Sequence, residues 1–555
     1  MRQIPQLTRC LAAAAVFTIA LLVNGLNSAG PKAGGKEGPE WDTSDNWHMF
    51  GGTPARNFVN LTAKGLPVEW SVEAGDLKNT VWSADLGSKA YGGPIVFDGR
   101  VFIGTNNQKP RDKKWMQDEV KDGKKVLGKD GKPRRVPIDL GIIMAFDQKK
   151  GDFLYQIVFE KLKAGRVNDW PEEGICSTPY VDGDRMYFVS NRCEVVCADT
   201  KTGKAEWKLD MIDKLGVFPH NIAVCSPLIV GDYLWVVTAN GVDEGHINVP
   251  APKAPSFIKL NKKDGKVLWQ YNGPTIRLTE KGEEEGFFKR LIDRGELIQH
   301  GQWSNPAYGV AGGQKQVIFP GGDGWIYSFD PDTDKLLWKF DCNPKDAQYH
   351  LSAKGTRNDF IATPVVYKER VYIGVGQDPE HETNVGHLWC IDMNKRGDVS
   401  PDLVTDAAVF PPKTKPNPNS AKVWHYGGFT TPEDKAKLKR NYYFGRTMST
   451  CAIKDDVLYV GELLGYIHCL DANTGKVFWT HDTGGPLWSS PYYADNKVYI
   501  GNDAGTVLVF AHGKTKKILQ ENDMGGRVRA TPVAVGDTLY VMTENRLWAL
   551  RNKKE

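Results

Sequence analysis

Much of what this 555-residue chain could be is removed by what it lacks. It has no Walker loop, no glycine fingerprint after a strand, no Gly-x-Ser-x-Gly elbow and no Cys-x-x-Cys pair. Phosphate cradles, hydrolase elbows and dithiol redox centres therefore have no residues from which to be built. An excess of one charge is missing too. Lys and Arg number 71 against 67 Asp and Glu, a net +4, and no basic tract is interleaved with aromatics. Nucleic acid is a poor partner for such a surface. After residue 23 no apolar run approaches the roughly 20 residues that a membrane-spanning helix needs.

What is present begins with a targeting pattern. Arg2 and Arg9 precede Leu11–Val23, a thirteen-residue apolar run, and small residues at Asn27, Ser28 and Ala29 suit a cut before Gly30. Residues 1–29 read as a cleaved export signal, too short in its apolar part to span a bilayer. Cys10 lies on the wrong side of that run for lipid attachment after cleavage. Residues 30–46, rich in Gly, Pro and Lys, read as a flexible linker, and 47–79 as a lead-in segment. The other eight cysteines would meet an oxidising compartment. Cys197, Cys390 and Cys469 share one slot of a repeat that elsewhere holds Ala145 and Ala549, which favours small apolar packing. Cys176 and Cys225 precede first strands of neighbouring repeats and are the pair to test first for a bridge.

The repeat is clearest in Ser449–Gly485, where Val, Ile, Leu, Tyr and Phe form four short strands separated by Asp-, Asn- and Gly-rich turns. Similar units open at Gly93, Thr178, Ser226, Asn305, Thr363, Thr450, Ser490 and Thr531, each time a small polar or glycyl residue, usually before Pro. Closing aromatics fall at Tyr155, Trp207, Trp269, Trp338, Trp424 and Trp479. A four-stranded period of about 40 residues is the pattern of a propeller blade. The expected fold is all-β: an eight-bladed propeller of four-stranded antiparallel blades over residues 80–555. The eighth unit stops near Trp548 after three strands, and a lone strand around Trp82 would supply the fourth and remove the exposed edge. The closing indoles are expected to dock on glycine turns of the next blade.

Spacing between openings varies from 40 to 87 residues, and most of the excess falls on one end of the ring. Asn106–Leu140, Asn240–Pro255 and Gly376–Gly386 lie there, whereas Arg396–Lys422 extends the opposite end. Thr279–Ile298 reads as a helix, acids first and bases later. One decorated end is how a scaffold carries a site on its loops. Polar and planar residues gather just before the first strands: Arg166, Asn168, Asp169, Trp170, His220, Asn221, His300, Gln302 and Trp303. Arg357, Asn358, Asp359, Arg446, Trp488, Arg527 and Arg529 complete the set. Around a shared axis they would face one another across a funnel suited to a flat anionic ligand or an acidic peptide. Equally, such groups could cap strand ends. Two loops combine acids with histidine, one with Asp378, Glu380, His381, Glu382 and His387, the other with Asp243, Glu244 and His246. They could hold a divalent cation, but solvated loop residues explain them as well, and no metal is assigned.

The segments CLDANTGKVFW (Cys469–Trp479), CADTKTGKAEW (Cys197–Trp207) and SFDPDTDKLLW (Ser328–Trp338) resemble the Trp-docking motif of the pyrroloquinoline-quinone-like eight-bladed propellers. The lead-in stretch NWHMFGGTPARN, with Arg56, also resembles that family's opening. The resemblance implies two branches. One comprises cofactor-free scaffolds similar to the outer-membrane assembly lipoprotein BamB, and implies an exported, non-catalytic binding protein of the periplasm or envelope, with a protein or small-ligand partner. The other comprises dehydrogenases that oxidise alcohols or sugars with the quinone, calcium and an Asp base. For that base only Asp169 and Asp359 offer positional candidates. The adjacent cysteine pair typical of the alcohol dehydrogenases does not occur, and the scaffold reading is preferred.

Overall fold

The structure, a computed structural model, describes residues 45–553 except 166, 247–248, 275–299, 348, 351–353, 379–383, 407–408 and 410. The expected helix at 279–298, together with Arg166, Glu380, His381 and Glu382, lies outside the described residues. Eight antiparallel sheets follow one another around an axis, and each is one blade. Blade 6 is representative, with Ala452–Lys454, Val457–Gly461, Tyr466–Asp471 and Val477–Asp482 from the inside outward. Each unit opening leads into a short first strand, and first strands of neighbouring blades touch. In blade 8, Val533–Val535, Thr538–Met542 and Arg546–Leu550 are completed by Thr80–Asp85, which pairs Thr80 with Leu550 and Asp85 with Arg546. The first full strand thus closes the ring on the last, as the missing fourth strand required.

The closing aromatics fasten blade to blade. Trp82 donates its indole N–H to Gln148 O, Trp207 to Lys262 O, Trp424 to Ala472 O and Trp479 to Gly513 O. A β-carbon on Gly151 would come within 2.5 Å of Trp82, and one on Gly475 within 2.7 Å of Trp424. Both glycines have positive φ, so turn shape and indole contact demand glycine together. Cys197, Cys390 and Cys469 sit directly opposite Trp207, Trp424 and Trp479 in register, a slot that takes a small side chain. Blade 4 departs from the rule. Its Trp338 is fully buried and donates to Gln316 Oε1, because Gly397–Asp398 adds a parallel strand outside it. Cys176 and Cys225, the pair to test first for a bridge, are not bonded, and all eight described cysteines are free thiols. Burial raises the thiols of Cys176 and Cys225 well above the usual range.

The insert between the second and third strands of blade 1, residues 107–139, folds as two small hairpins, centred on pairs Met116–Asp118 with Arg135–Pro137 and Val120–Lys121 with Lys124–Lys125. No described helix is long and apolar enough to cross a membrane.

Candidate functional site

Hydrogen bonds join the unit openings in turn around the axis, from blade 1 to blade 8. Gly93 N donates to Thr178 Oγ1, Thr178 N to Ser226 Oγ, and Ser226 N to the side-chain oxygen of Asn305. Asn305 Nδ2 donates to Thr363 Oγ1, Thr363 N to Thr450 Oγ1, Thr450 N to Ser490 Oγ and Ser490 N to Thr531 Oγ1. In six of these seven joins a side chain of one blade therefore caps the strand-start amide of its predecessor. The small polar residue before Pro is selected for this, since Pro cannot take part and a large side chain would fill the axis.

One end of the axial channel is sealed by the lead-in segment. Trp47 exchanges backbone hydrogen bonds with Val96 of blade 1, and His48 O, Pro54 O and Ala55 O accept from Val181, Tyr308 and Val366 of blades 2, 4 and 5. Asn57 exchanges side-chain bonds with Ile453 of blade 6, Phe58 O accepts from Tyr493 of blade 7, and Asn60 Nδ2 donates to Ala534 O of blade 8. Arg56 covers blade 3. Fully buried at φ 59°, it donates to Phe50 O, Ser226 O, Pro227 O and Pro306 O at 2.8–3.0 Å. Burial lowers its pKa to about 10. Neutral carbonyls hold the ion here, and the segment is a plug.

Above the plug lies a blind funnel of about 340 Å³. Phe50 and Phe58 form its floor together with the unit openings. Its walls carry Tyr91, Trp170, Asn221, Trp303, Asp378, Met448, Trp488 and Arg529. Five residues expected from the sequence, Trp170, Asn221, Trp303, Trp488 and Arg529, are brought together there. Arg529 stacks on Trp488, 4.5 Å from the ring centre, and is clamped by both oxygens of Asp503 and by Tyr91 Oη. Burial works against its charge, but Asp503 and Tyr91 more than offset this and hold its pKa above the usual value.

A second group of expected residues meets beside the funnel. His220, His246 and His300 are buried and offer ring nitrogens that all lie within 4.8 Å of one another. His300 Nε2 lies 3.3 Å from His246 Nδ1, while its Nδ1 lies 3.5 Å from carboxylate oxygens of both Asp359 and Asp378. Trp303 covers the cluster, its ring 5.6 Å from His220 and 5.2 Å from His300, and donates to His220 O. Burial, then the nearby His246, lower the His220 pKa to about 4. Burial and the Asp378 charge raise Asp359 well above the carboxylate range, with Arg357 opposing. His246 and Asp378 come from the two acid-and-histidine loops, which converge because both are turns on the loop-rich end. His387 of the same insert faces elsewhere and pairs with His425 at 2.9 Å.

The remaining expected residues tie loops down. Asp169 accepts from Lys161, Leu162 N and Asn191, and burial raises its pKa despite these partners. Asn168 donates to Pro219 O, Gln302 to Asn240 O, Arg357 to Asp323 O and Arg446 to Asp378 O. Asn358 N donates to Asn343. Arg527 is exposed, with Glu544 at 3.9 Å. Sequence reasoning did not single out Tyr91, Asp378 as a funnel residue, or the plug. Tyr91 lies two residues before the first opening, in the slot that Trp488 occupies before Ser490, and that correspondence was the available signal.

The family model described as outer membrane protein assembly factor BamB, a PQQ-repeat model, matches residues 139–377 and 416–554, more than half of the chain. The chain belongs to that family. Among curated relatives, tetrathionate hydrolase of Acidithiobacillus ferrooxidans is 22% identical over 397 residues, 65% of this chain and 69% of that protein. The assembly factor BamB of Yersinia pestis is 25% identical over 363 residues, covering 60% and 83%. Among solved structures, the quinohemoprotein alcohol dehydrogenase of Comamonas testosteroni superposes with a TM-score of 0.58 at 12% identity, over 93% of this chain and 82% of that one. At that identity the likeness speaks for the fold alone.

Proposed function

We propose that the chain is an exported, non-catalytic binding propeller of the cell envelope, which takes a protein segment or small planar ligand into its blind funnel. The observation that carries this reading is the asymmetry of the axis: plugged by residues 47–60 at one end, open and walled by aromatics at the other. A concave, mostly apolar cavity with a few convergent polar groups is the usual form of a binding site. The export signal read in residues 1–29 and membership of the BamB family support an envelope location and a part in outer-membrane assembly.

The alternative is a dehydrogenase holding pyrroloquinoline quinone and calcium in the same funnel. The faces of Trp170, Trp303 and Trp488 suit a planar ring. The charge does not: Arg529 is already clamped by Asp503, and Glu173 and Asp378 add acid to the lining. These residues do not fit an anionic quinone, and no step is derived through one.

Photo-crosslinking in the exporting cell tests the binding reading. A benzophenone side chain at Trp303 should give a discrete adduct that Trp488→Ala diminishes, while the same group at exposed Gly536, on the plugged end, should not. Adducts from Gly536 alone would overturn it.

A further inference from the structure

We propose that His220, His246 and His300 form a binding site for a divalent transition metal of the zinc class, set in the wall of the funnel behind Asp378. The proposal is independent of what the funnel binds.

The ring nitrogens have the tautomers and spacing that such a site needs. His220 Nδ1 lies 2.9 Å from Val242 O, so it carries the proton and leaves Nε2 as the lone-pair nitrogen. That Nε2 is buried and has no hydrogen-bond partner, and the ring lies 4.9 Å from the His246 and His300 rings. Leaving such an acceptor dry is costly unless something occupies it. His300 presents Nε2 to the other histidines and Nδ1 to Asp359 and Asp378. A carboxylate behind the far ring nitrogen is the usual support of a metal-binding histidine, fixing its tautomer and raising its basicity. The 3.3 Å between His300 Nε2 and His246 Nδ1 matches a tetrahedral edge, which is about 3.3–3.4 Å for Zn–N bonds of about 2.0–2.1 Å.

Imidazoles select zinc, copper, nickel or iron over calcium and magnesium, which prefer oxygen ligands. Three protein ligands also leave one position open. The buried Asp378 beside His300 supplies negative charge that a dication needs for its burial. His220 sits on the link between blades 2 and 3, His246 on a turn of blade 3, and His300 on the link into blade 4. A bound ion therefore clamps three separate loops, and Trp303 closes it over from the funnel side.

The full chain, stripped with chelator and titrated with zinc chloride by calorimetry, should bind one equivalent. Cobalt chloride should give the strong visible band of a four-coordinate nitrogen site in the wild-type protein. His246→Asn keeps a residue that tolerates the positive φ of 54° at that position, and should abolish both signals. Asp359→Asn, which removes a supporting carboxylate, should weaken zinc about 10- to 100-fold and leave the cobalt band in place. The proposal is overturned if wild type gives no heat and only the weak spectrum of hydrated cobalt. It is also overturned if binding survives His246→Asn but is lost in Asp359→Asn, which would put the ion on the carboxylate face of His300. The wild-type cobalt spectrum decides even if a variant fails to fold.

Discussion

The two ends of the axial channel use polar groups in opposite ways. At the plugged end a fully buried arginine spends its donors on backbone carbonyls from blades 3 and 4 and from its own segment. The segment around it gives backbone or side-chain hydrogen bonds to the other blades in turn. Those bonds leave the guanidinium no free face, and the result is a fixed floor. At the open end histidines and carboxylates crowd together, one imidazole nitrogen has no hydrogen-bond partner, and aromatic faces line a cavity. Saturated polar groups build structure. A buried acceptor left without a hydrogen-bond partner, as at His220 Nε2, marks a candidate site.

The comparison can be broken most severely at Arg56. Arg56→Met leaves four carbonyls, three of them buried, without donors and should cost about 4 kcal/mol in guanidinium melts, or prevent folding. A loss near 1 kcal/mol would mean that the plug is not integral. The blade joints come next. Gly151→Ala and Gly536→Ala both place a side chain at positive φ, but only the first meets an indole, Trp82. Gly536→Ala should cost about 1 kcal/mol from backbone strain, and Gly151→Ala about 1–3 kcal/mol more from the clash, as a lower melting temperature. Equal losses would remove Trp82 from the account of ring closure.

A pH series sharpens the plugged end. Burial lowers His48 from 6.5 to about 4, with Asp182 opposing. The unfolded chain then binds a proton that the folded chain refuses, so this contribution is complete above pH 6.5 and is lost as pH falls towards 4. About 2 kcal/mol should disappear between pH 7 and pH 5, and His48→Phe should flatten that slope. The smallest effect belongs to the open end. Trp488→Ala, at a half-buried wall position, should change stability by about 1 kcal/mol while reducing the crosslink from Trp303.

The ring was legible in the sequence because its parts are local. An eight-fold opening, a missing last strand and a spare strand around Trp82 leave one closed arrangement. In blade 6 all four strands fall inside the expected Ser449–Gly485, running from Ala452 to Asp482. The site was legible only as a list of neighbours on one end. Asp169, Asn168 and Gln302 share sequence position with Trp170 and Trp303, yet bind loops instead of facing the cavity. Which way a side chain turns from a strand entrance depends on the next blade, and no local pattern records that. The plug was invisible for the same reason: a fourteen-residue segment with no repeat of its own takes its shape from eight distant partners.

Hydrogen exchange over residues 47–60 and the first strands that meet them tests the sealed floor most directly. The account predicts slow exchange, comparable to blade interiors, at the amides of Trp47, Val181, Tyr308, Val366 and Tyr493, all of which bond across the plug. Exchange at those five amides as fast as in an unstructured chain would show an open channel, and would contradict the blind funnel on which the binding site depends.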